Sequence, residues 1–302
     1  MKGVVAKSTG SWYTVWLEDG SQLACRLRGK FRLKKSSLTN PIAVGDFVHV
    51  DVTNREEAVI QEIELRRNYL LRKATKSTSQ FQIVASNIDQ AIVIATDVAP
   101  RTSTGFIDRF LVACAQYDIT PVIVFNKLDL LTDKEMSNAK ALVYQEAGYT
   151  VLQTSFIAET IDQPVLDLFE GKTSLLFGHS GVGKSTLLNR IIPEASQDVG
   201  VISKQHQKGK HTTTFAQMFQ DGHGNRIIDT PGVKEFGLEE METWKLGHYF
   251  REFTSYIKDC KYNTCVHQNE PECGVIAGFV NGHITQFRYE NYLNMLEDLQ
   301  SG

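Results

Sequence analysis

The chain has 302 residues, 42% hydrophobic and 22% charged, which excludes a disordered polymer and leaves room for two or three domains with sizeable cores. No apolar run approaches the roughly 20 residues that span a bilayer, and the opening MKGVVAKSTGSWYTVW lacks a secretory-signal layout, so a cytoplasmic protein without a membrane is expected. The net charge of −3 splits into +6 over residues 1–80 (14 Lys/Arg, 8 Asp/Glu) and −9 over the rest (18 against 27), an asymmetry that suits a polyanionic partner or a merely solvated surface.

In chain order, residues 1–70 read as short strands with turn signals every 8–12 residues: VVAKSTGSWYTVWLE, QLACRLRGKFRL, FVHVDV and AVIQEIEL. That rhythm predicts a small barrel. Arg26, Arg28, Lys30, Arg32 and Lys34 recur at every second residue, so a strand would place all five on one face. With Trp12, Tyr13 and Trp16 nearby, this face is a candidate RNA contact; a soluble outer face is the alternative. The polar, basic stretch 71–79 reads as a linker. From about 81 to 235 apolar strands (QAIVIATD, PVIVFNKLD, TVLQTS, SLLFGHS, TFAQMFQ, NRIIDTPG) alternate with helical spacing, which predicts an α/β domain with a mostly parallel sheet. Residues 236–302 read as helical around a Cys/His cluster.

The strand PVIVF ends in Asn126-Lys127-Leu128-Asp129. Asp129 can accept from the N1–H and the 2-amino group of guanine, donors that adenine does not present, and a buried carboxylate left unpaired is the source of selectivity. Asn126 reaches toward the phosphate loop and the Lys127 stem covers the base. Alone, this motif could be an exposed strand-end turn; Thr154-Ser155 at the end of the next strand adds to it, although Phe156 follows where related enzymes carry alanine.

Between SLLF and STLLNRII stands Gly178-His179-Ser180-Gly181-Val182-Gly183-Lys184-Ser185-Thr186, a glycine loop with the strand and helix it requires. Its amides cradle phosphates, Lys184 reaches the β and γ oxygens, and the Ser185 hydroxyl serves Mg²⁺. One of Thr212–Thr214, Thr213 by preference, completes the Mg²⁺ shell. Asp229-Thr230-Pro231-Gly232 supplies a water-mediated Mg²⁺ contact and an amide for the γ-phosphate. Val233 cannot orient water. His211 either performs that task or only bonds a switch backbone group.

Cys260, Cys265, His267 and Cys273 place three thiolates and an imidazole within 14 residues, a closed tetrahedral Zn²⁺ set with a structural role. Cys25 and Cys114 lie in apolar patterns and read as core.

The order of these motifs, with the base reader ahead of the phosphate loop, is a circular permutation of the usual one, and the second switch leads directly into the C-terminal region. With Gly45-Asp46, N126-K-L-D129, G178–S185, H211-T-T-T214 and the Cys/His cluster together, the chain resembles the ribosome small-subunit-dependent GTPase A family (RsgA, YjeQ, YloQ) over essentially its whole length. The resemblance implies an N-terminal OB-fold barrel (1–70), a circularly permuted P-loop GTPase domain (71–235) and a C-terminal, mostly helical zinc domain (236–302). It also implies Mg²⁺-dependent hydrolysis of GTP to GDP activated by the small ribosomal subunit, a part in late maturation of that subunit, contact with its rRNA, and catalysis by His211. A monomer is expected. The rival readings are an ATP-using P-loop protein and a placeholder in which the nucleotide only sets a conformation.

Overall fold

The computed structural model describes residues 1–27, 40–54, 57–73, 81–195, 216–230 and 241–301. Strands β1 (Lys2–Ser8), β2 (Tyr13–Leu17), β3 (Gln22–Leu27), β4 (Phe47–Asn54) and β5 (Glu57–Ile63) close on themselves in the order β1-β2-β3-β5-β4-β1. Every pairing is antiparallel except β3 with β5. Closure gives the apolar face of each strand one shared interior, filled by Val5, Val15, Cys25, Val48 and Ile60. Burial pushes the Cys25 thiol up to about 11, as suits a core residue. The segment VVAKSTGSWYTVWLE is two strands rather than one. Gly10, at φ 87°, turns the chain between them, and Thr9 N–H closes the turn on the Trp12 carbonyl at 2.9 Å.

Of the basic stretch 71–79, Leu71–Lys73 is strand rather than linker, and the remainder lies outside the described residues. Strand β6 (Tyr69–Lys73) pairs with β7 (Phe81–Ser86), and Leu71 is buried against Ala43 and Ile83. Its polar composition concealed one apolar anchor, Leu71, that only the partner strand reveals. The hairpin is fastened to the barrel through the wholly buried carboxylate of Asp46, which accepts from Ala43 N–H (2.9 Å), Arg66 (2.7 Å) and Ser86 Oγ (2.6 Å).

The central sheet runs β10 (Thr150–Gln153), β9 (Thr120–Phe125), β8 (Gln90–Ala95), β11 (Thr173–Phe177) and β13 (Arg226–Asp229), all parallel, with β12 (Gln217–Gln220) antiparallel at β13. The chain walks outward from β8 to β10, then returns to set β11 on the other side of β8. Every residue of β8 is buried, because helices cover both sheet faces. Helix α1 (Thr104–Gln116) begins at Ser103, whose hydroxyl accepts from Phe106 N–H at 3.2 Å; α2 (Glu135–Glu146), α3 (Gln163–Asp167) and α4 (Lys184–Ile191) follow.

The C-terminal region differs from its sequence reading in one respect. METWKLGHYFREFTSYI forms 3₁₀ turns (Thr243–Tyr249, Arg251–Phe253) and a short helix α5 (Thr254–Ile257), ahead of α6 (Gly274–Val280) and α7 (Gln286–Ser301). Packing over the Cys/His cluster replaces the long amphipathic helix that periodicity suggested. This unit sits on α1 and α2 through Arg288, which is 1% exposed. Its guanidinium bonds Glu252 at 2.5 and 3.0 Å and pairs with Asp108 of α1, which also accepts from Tyr144 of α2 (2.7 Å) and Asn291 (2.6 Å). A buried guanidinium holding two carboxylates is stable only while all three stay together. The interface therefore has one register.

Candidate nucleotide site and metal centre

The parallel sheet brings the ends of β8, β9, β10, β11 and β13 to one edge, where ligands of such sheets sit. From β11 the chain enters the glycine loop. Gly178 adopts φ 141°, and a side chain there would stand 2.5 Å from the Ile94 carbonyl. Gly183 adopts φ 111° and caps α4, and a methyl group there would collide with Asn126 Nδ2. Both positions therefore demand glycine.

Lys184, 8% exposed, folds back over the loop and donates to the Gly178 (2.7 Å) and His179 (2.9 Å) carbonyls. Burial lowers its pKa and the neighbouring Asp229 partly restores it. Asp229 is itself buried at the end of β13, near enough to Lys184 for the cation and the carboxylate to attract one another. Val182 is buried in the core, whereas Ser180, Gly181, Ser185 and Thr186 are exposed. His179 lies 4.0 Å from the Phe106 ring of α1, and burial, then Lys184, hold its pKa below the usual histidine range.

Asn126 joins the halves of the crevice. Its Nδ2 donates to the Val182 carbonyl at 2.8 Å, and its Oδ1 accepts from Phe156 N–H at 2.9 Å. Lys127 takes a left-handed conformation (φ 67°), which turns Leu128 and Asp129 into a 3₁₀ turn. Its Nζ donates to the Ala99 carbonyl at 2.5 Å. Asp129 is exposed, not buried as the selectivity argument assumed, because the turn carries it past the sheet edge; Ser155 Oγ donates to its Oδ1. Thr154 Oγ donates to Asp162 at 2.7 Å. Phe156, the departure noted after Ser155, is 1% exposed and fills the core beside Val182 and Leu187. Its size thus has a packing reason, and its amide is already engaged by Asn126.

The four residues of the cluster converge. All their ligand atoms lie within 4.8 Å of one another. A tetrahedral ion with bonds near 2.3 Å to sulfur and 2.0 Å to nitrogen would set S–S edges at about 3.8 Å and S–N edges at about 3.5 Å. Cys260 Sγ and Cys273 Sγ are 3.8 Å apart, and His267 Nδ1 lies 3.5 and 3.4 Å from them. The donor set therefore fits a metal bound through Nδ1. Burial pushes the Cys265 thiol up to about 12 and the His267 imidazole down to about 4. Neutral imidazole is the form that ligates, and a cation would offset the cost of the buried thiolates. Sequence reading missed the supports. Glu270 accepts from Val266 (2.6 Å), Gln268 (2.9 Å) and Asn269 (3.1 Å) N–H groups, while Tyr289 and Tyr292 of α7 donate to the His267 (2.8 Å) and Val266 (2.6 Å) carbonyls. Only the glutamate, lying among the ligands in QNEPEC, carried a local signal.

On the barrel, Arg26 is exposed at the end of β3, with its guanidinium 4.3 Å from the Trp12 ring centroid. Arg28, Lys30, Arg32, Lys34, His211, Thr213 and Gly232 lie outside the described residues. A cleft of about 690 Å³, between the barrel and the β12–β13 turn, opens at the opposite end of the sheet from the glycine loop and includes none of the candidate nucleotide or metal residues, although Trp16 lines it.

Comparison with known proteins extends this picture. The RsgA GTPase profile matches residues 63–239, and the RsgA N-terminal domain profile matches residues 2–60. The small ribosomal subunit biogenesis GTPase RsgA of Phocaeicola vulgatus is 46% identical, covering 100% of this chain and 98% of its own. That of Christiangramia forsetii is 45% identical, covering 98% and 96%. Among solved structures, YjeQ from Thermotoga maritima superposes with a TM-score of 0.77 at 33% identity over 100% of this chain and 99% of that one. YloQ, described as a circularly permuted GTPase, superposes with a TM-score of 0.73 at 30% identity over 99% and 95%.

Proposed function

Since this chain belongs to the RsgA family of small ribosomal subunit biogenesis GTPases, we propose that it binds GTP and Mg²⁺ between the glycine loop and Asp129, hydrolyses the nucleotide on the small ribosomal subunit, and acts in late maturation of that subunit in the cytoplasm as a monomer. The observation that carries the nucleotide assignment is Asn126, whose amide ties the base-reading strand end to the Val182 carbonyl of the phosphate loop. Lys184 would neutralise the β and γ oxygens, Ser185 and Thr213 would serve Mg²⁺ directly and Asp229 through water, and the Gly232 amide would meet the γ-phosphate. His211 positions the attacking water, a task that Val233 cannot perform. The Cys260–Cys265–His267–Cys273 set holds one structural Zn²⁺, a reading supported by its sulfur-rich, four-ligand geometry. The barrel meets rRNA with Arg26 and the basic positions that follow it. Among the described residues no helix is long and apolar enough to cross a membrane.

Two measurements test the chemistry. Subunit-stimulated GTP turnover of His211→Ala should fall about 100-fold, the size of a lost general acid–base or water-orienting group, while affinity for GDP stays that of the wild type. Equal stimulation in both proteins removes His211 from the reaction. Asp129→Asn should lower guanine nucleotide affinity about 100-fold and gain xanthosine nucleotides, whose C2 carbonyl meets an amide donor. Wild-type GTP affinity in Asp129→Asn, or a wild type that holds ATP as tightly as GTP, contradicts the role given to this carboxylate.

A further inference from the structure

The turn that follows β10 is held from a second side by a residue outside the nucleotide motifs. Arg190 stands in the last turn of α4, the helix that begins at Lys184. Its guanidinium reaches across and donates from Nη1 to the Glu159 carbonyl at 3.0 Å and from Nη2 to the Ala158 carbonyl at 2.7 Å. Ala158 N–H in turn closes on the Ser155 carbonyl at 3.1 Å. The β-turn so formed starts at Ser155, whose hydroxyl bonds Asp129, and contains Phe156, whose amide bonds Asn126. The ties make a closed circuit. The glycine loop holds Asn126, Asn126 holds the turn, the turn is held by Arg190, and Arg190 grows from the helix that the glycine loop starts.

We propose that Arg190 is a positioning residue for base recognition, setting the Ser155–Ala158 turn so that the Asp129 carboxylate is aimed at both guanine donors. The proposal rests on the guanine reading of this site. A planar fork suits the task because two adjacent carbonyls fix both the distance and the tilt of the turn, which a single ammonium cannot do. Arg190 is solvent-exposed, and its guanidinium is bonded to the Ala158 and Glu159 carbonyls rather than to the phosphate-loop backbone or Asp129. Its loss therefore loosens the aim of the carboxylate without emptying the phosphate cradle.

The test compares GDP, IDP and inorganic pyrophosphate binding by titration calorimetry on wild type, Arg190→Met and Arg190→Lys. IDP lacks the 2-amino group, so the GDP-to-IDP affinity ratio reads how well Asp129 meets its second donor. Arg190→Met should lower that ratio about fivefold, the scale of a solvent-facing, charge-assisted pair of bonds, and leave pyrophosphate affinity unchanged. Arg190→Lys should fall between the two. A wild-type ratio in Arg190→Met, or an equal loss for pyrophosphate, overturns the proposal, since a merely structural role would not act on the 2-amino group alone. Should the methionine variant not fold, the ratio in Arg190→Lys decides in the same way. A wild type that binds GDP and IDP equally refutes the guanine reading itself, an outcome separate from failure of Arg190.

Discussion

Removing the metal from the Cys260–Cys265–His267–Cys273 cluster is expected to unfold the C-terminal unit while the barrel and central sheet remain. The unit is small, and its core is organised around the cluster. His267 packs between Phe253 and Tyr292, and the carbonyls of Val266 and His267 are bonded by α7. In small zinc modules the apparent binding free energy is about 10–16 kcal/mol and is largely folding energy. Without the ion, buried thiols and a neutral imidazole remain with little to hold them together. Cys273→Ser is the sharper version of this experiment. Cys273 also caps α6, accepting from Ile276 N–H at 3.4 Å, and serine is among the best capping residues; the substitution therefore removes a ligand and spares the cap. Metal analysis should give one zinc per chain in the wild type. Thermal melts followed by near-ultraviolet dichroism should lose their C-terminal transition both in Cys273→Ser and after chelation. A chain that melts identically with and without chelator would show that the cluster does not organise this unit.

Lys184→Ala is expected to reduce GTP turnover about 1,000-fold, or about 4 kcal/mol of transition-state stabilisation, the upper scale for one preorganised charge aimed at developing negative charge. Two features make the loss large. The ammonium is already desolvated, so its field at the phosphates is weakly screened. It also staples the loop to itself through the Gly178 and His179 carbonyls, so the alanine variant loses both the charge and the shape of the cradle. Lys184→Met keeps the stem and separates these effects: nucleotide affinity should recover partly and turnover should not. Single-turnover hydrolysis with small subunits, beside GDP titration, reads both quantities. Turnover within tenfold of wild type in Lys184→Ala would remove the lysine from phosphate chemistry. Hydrolysis abolished with subunit maturation intact would favour a placeholder that uses nucleotide only to set a conformation.

The motifs could be read in sequence because each is a local solution to a local problem. A glycine loop must open at Gly178 and close at Gly183, a base reader must end a strand, and four soft ligands must fall close together in the chain. The period-2 and buried-run patterns likewise announced the strands of the barrel and the sheet. Where the neighbouring element decides, the linear reading stopped short. Leu71–Lys73 is strand only because β7 pairs with it, the segment 241–257 is broken into 3₁₀ turns by the cluster it covers, and Asp129 is exposed because Lys127 turns left-handed. Tertiary structure alone placed Arg288 against Asp108, 180 residues away, and Arg190 against the turn at Ala158. Both are long side chains whose partners are set by how helices dock, and no spacing along the chain encodes that. Sequence determined which chemistry this protein carries, since chemistry resides in residue types at short range; the fold decided which of those residues face one another, since contact at long range is a property of packing.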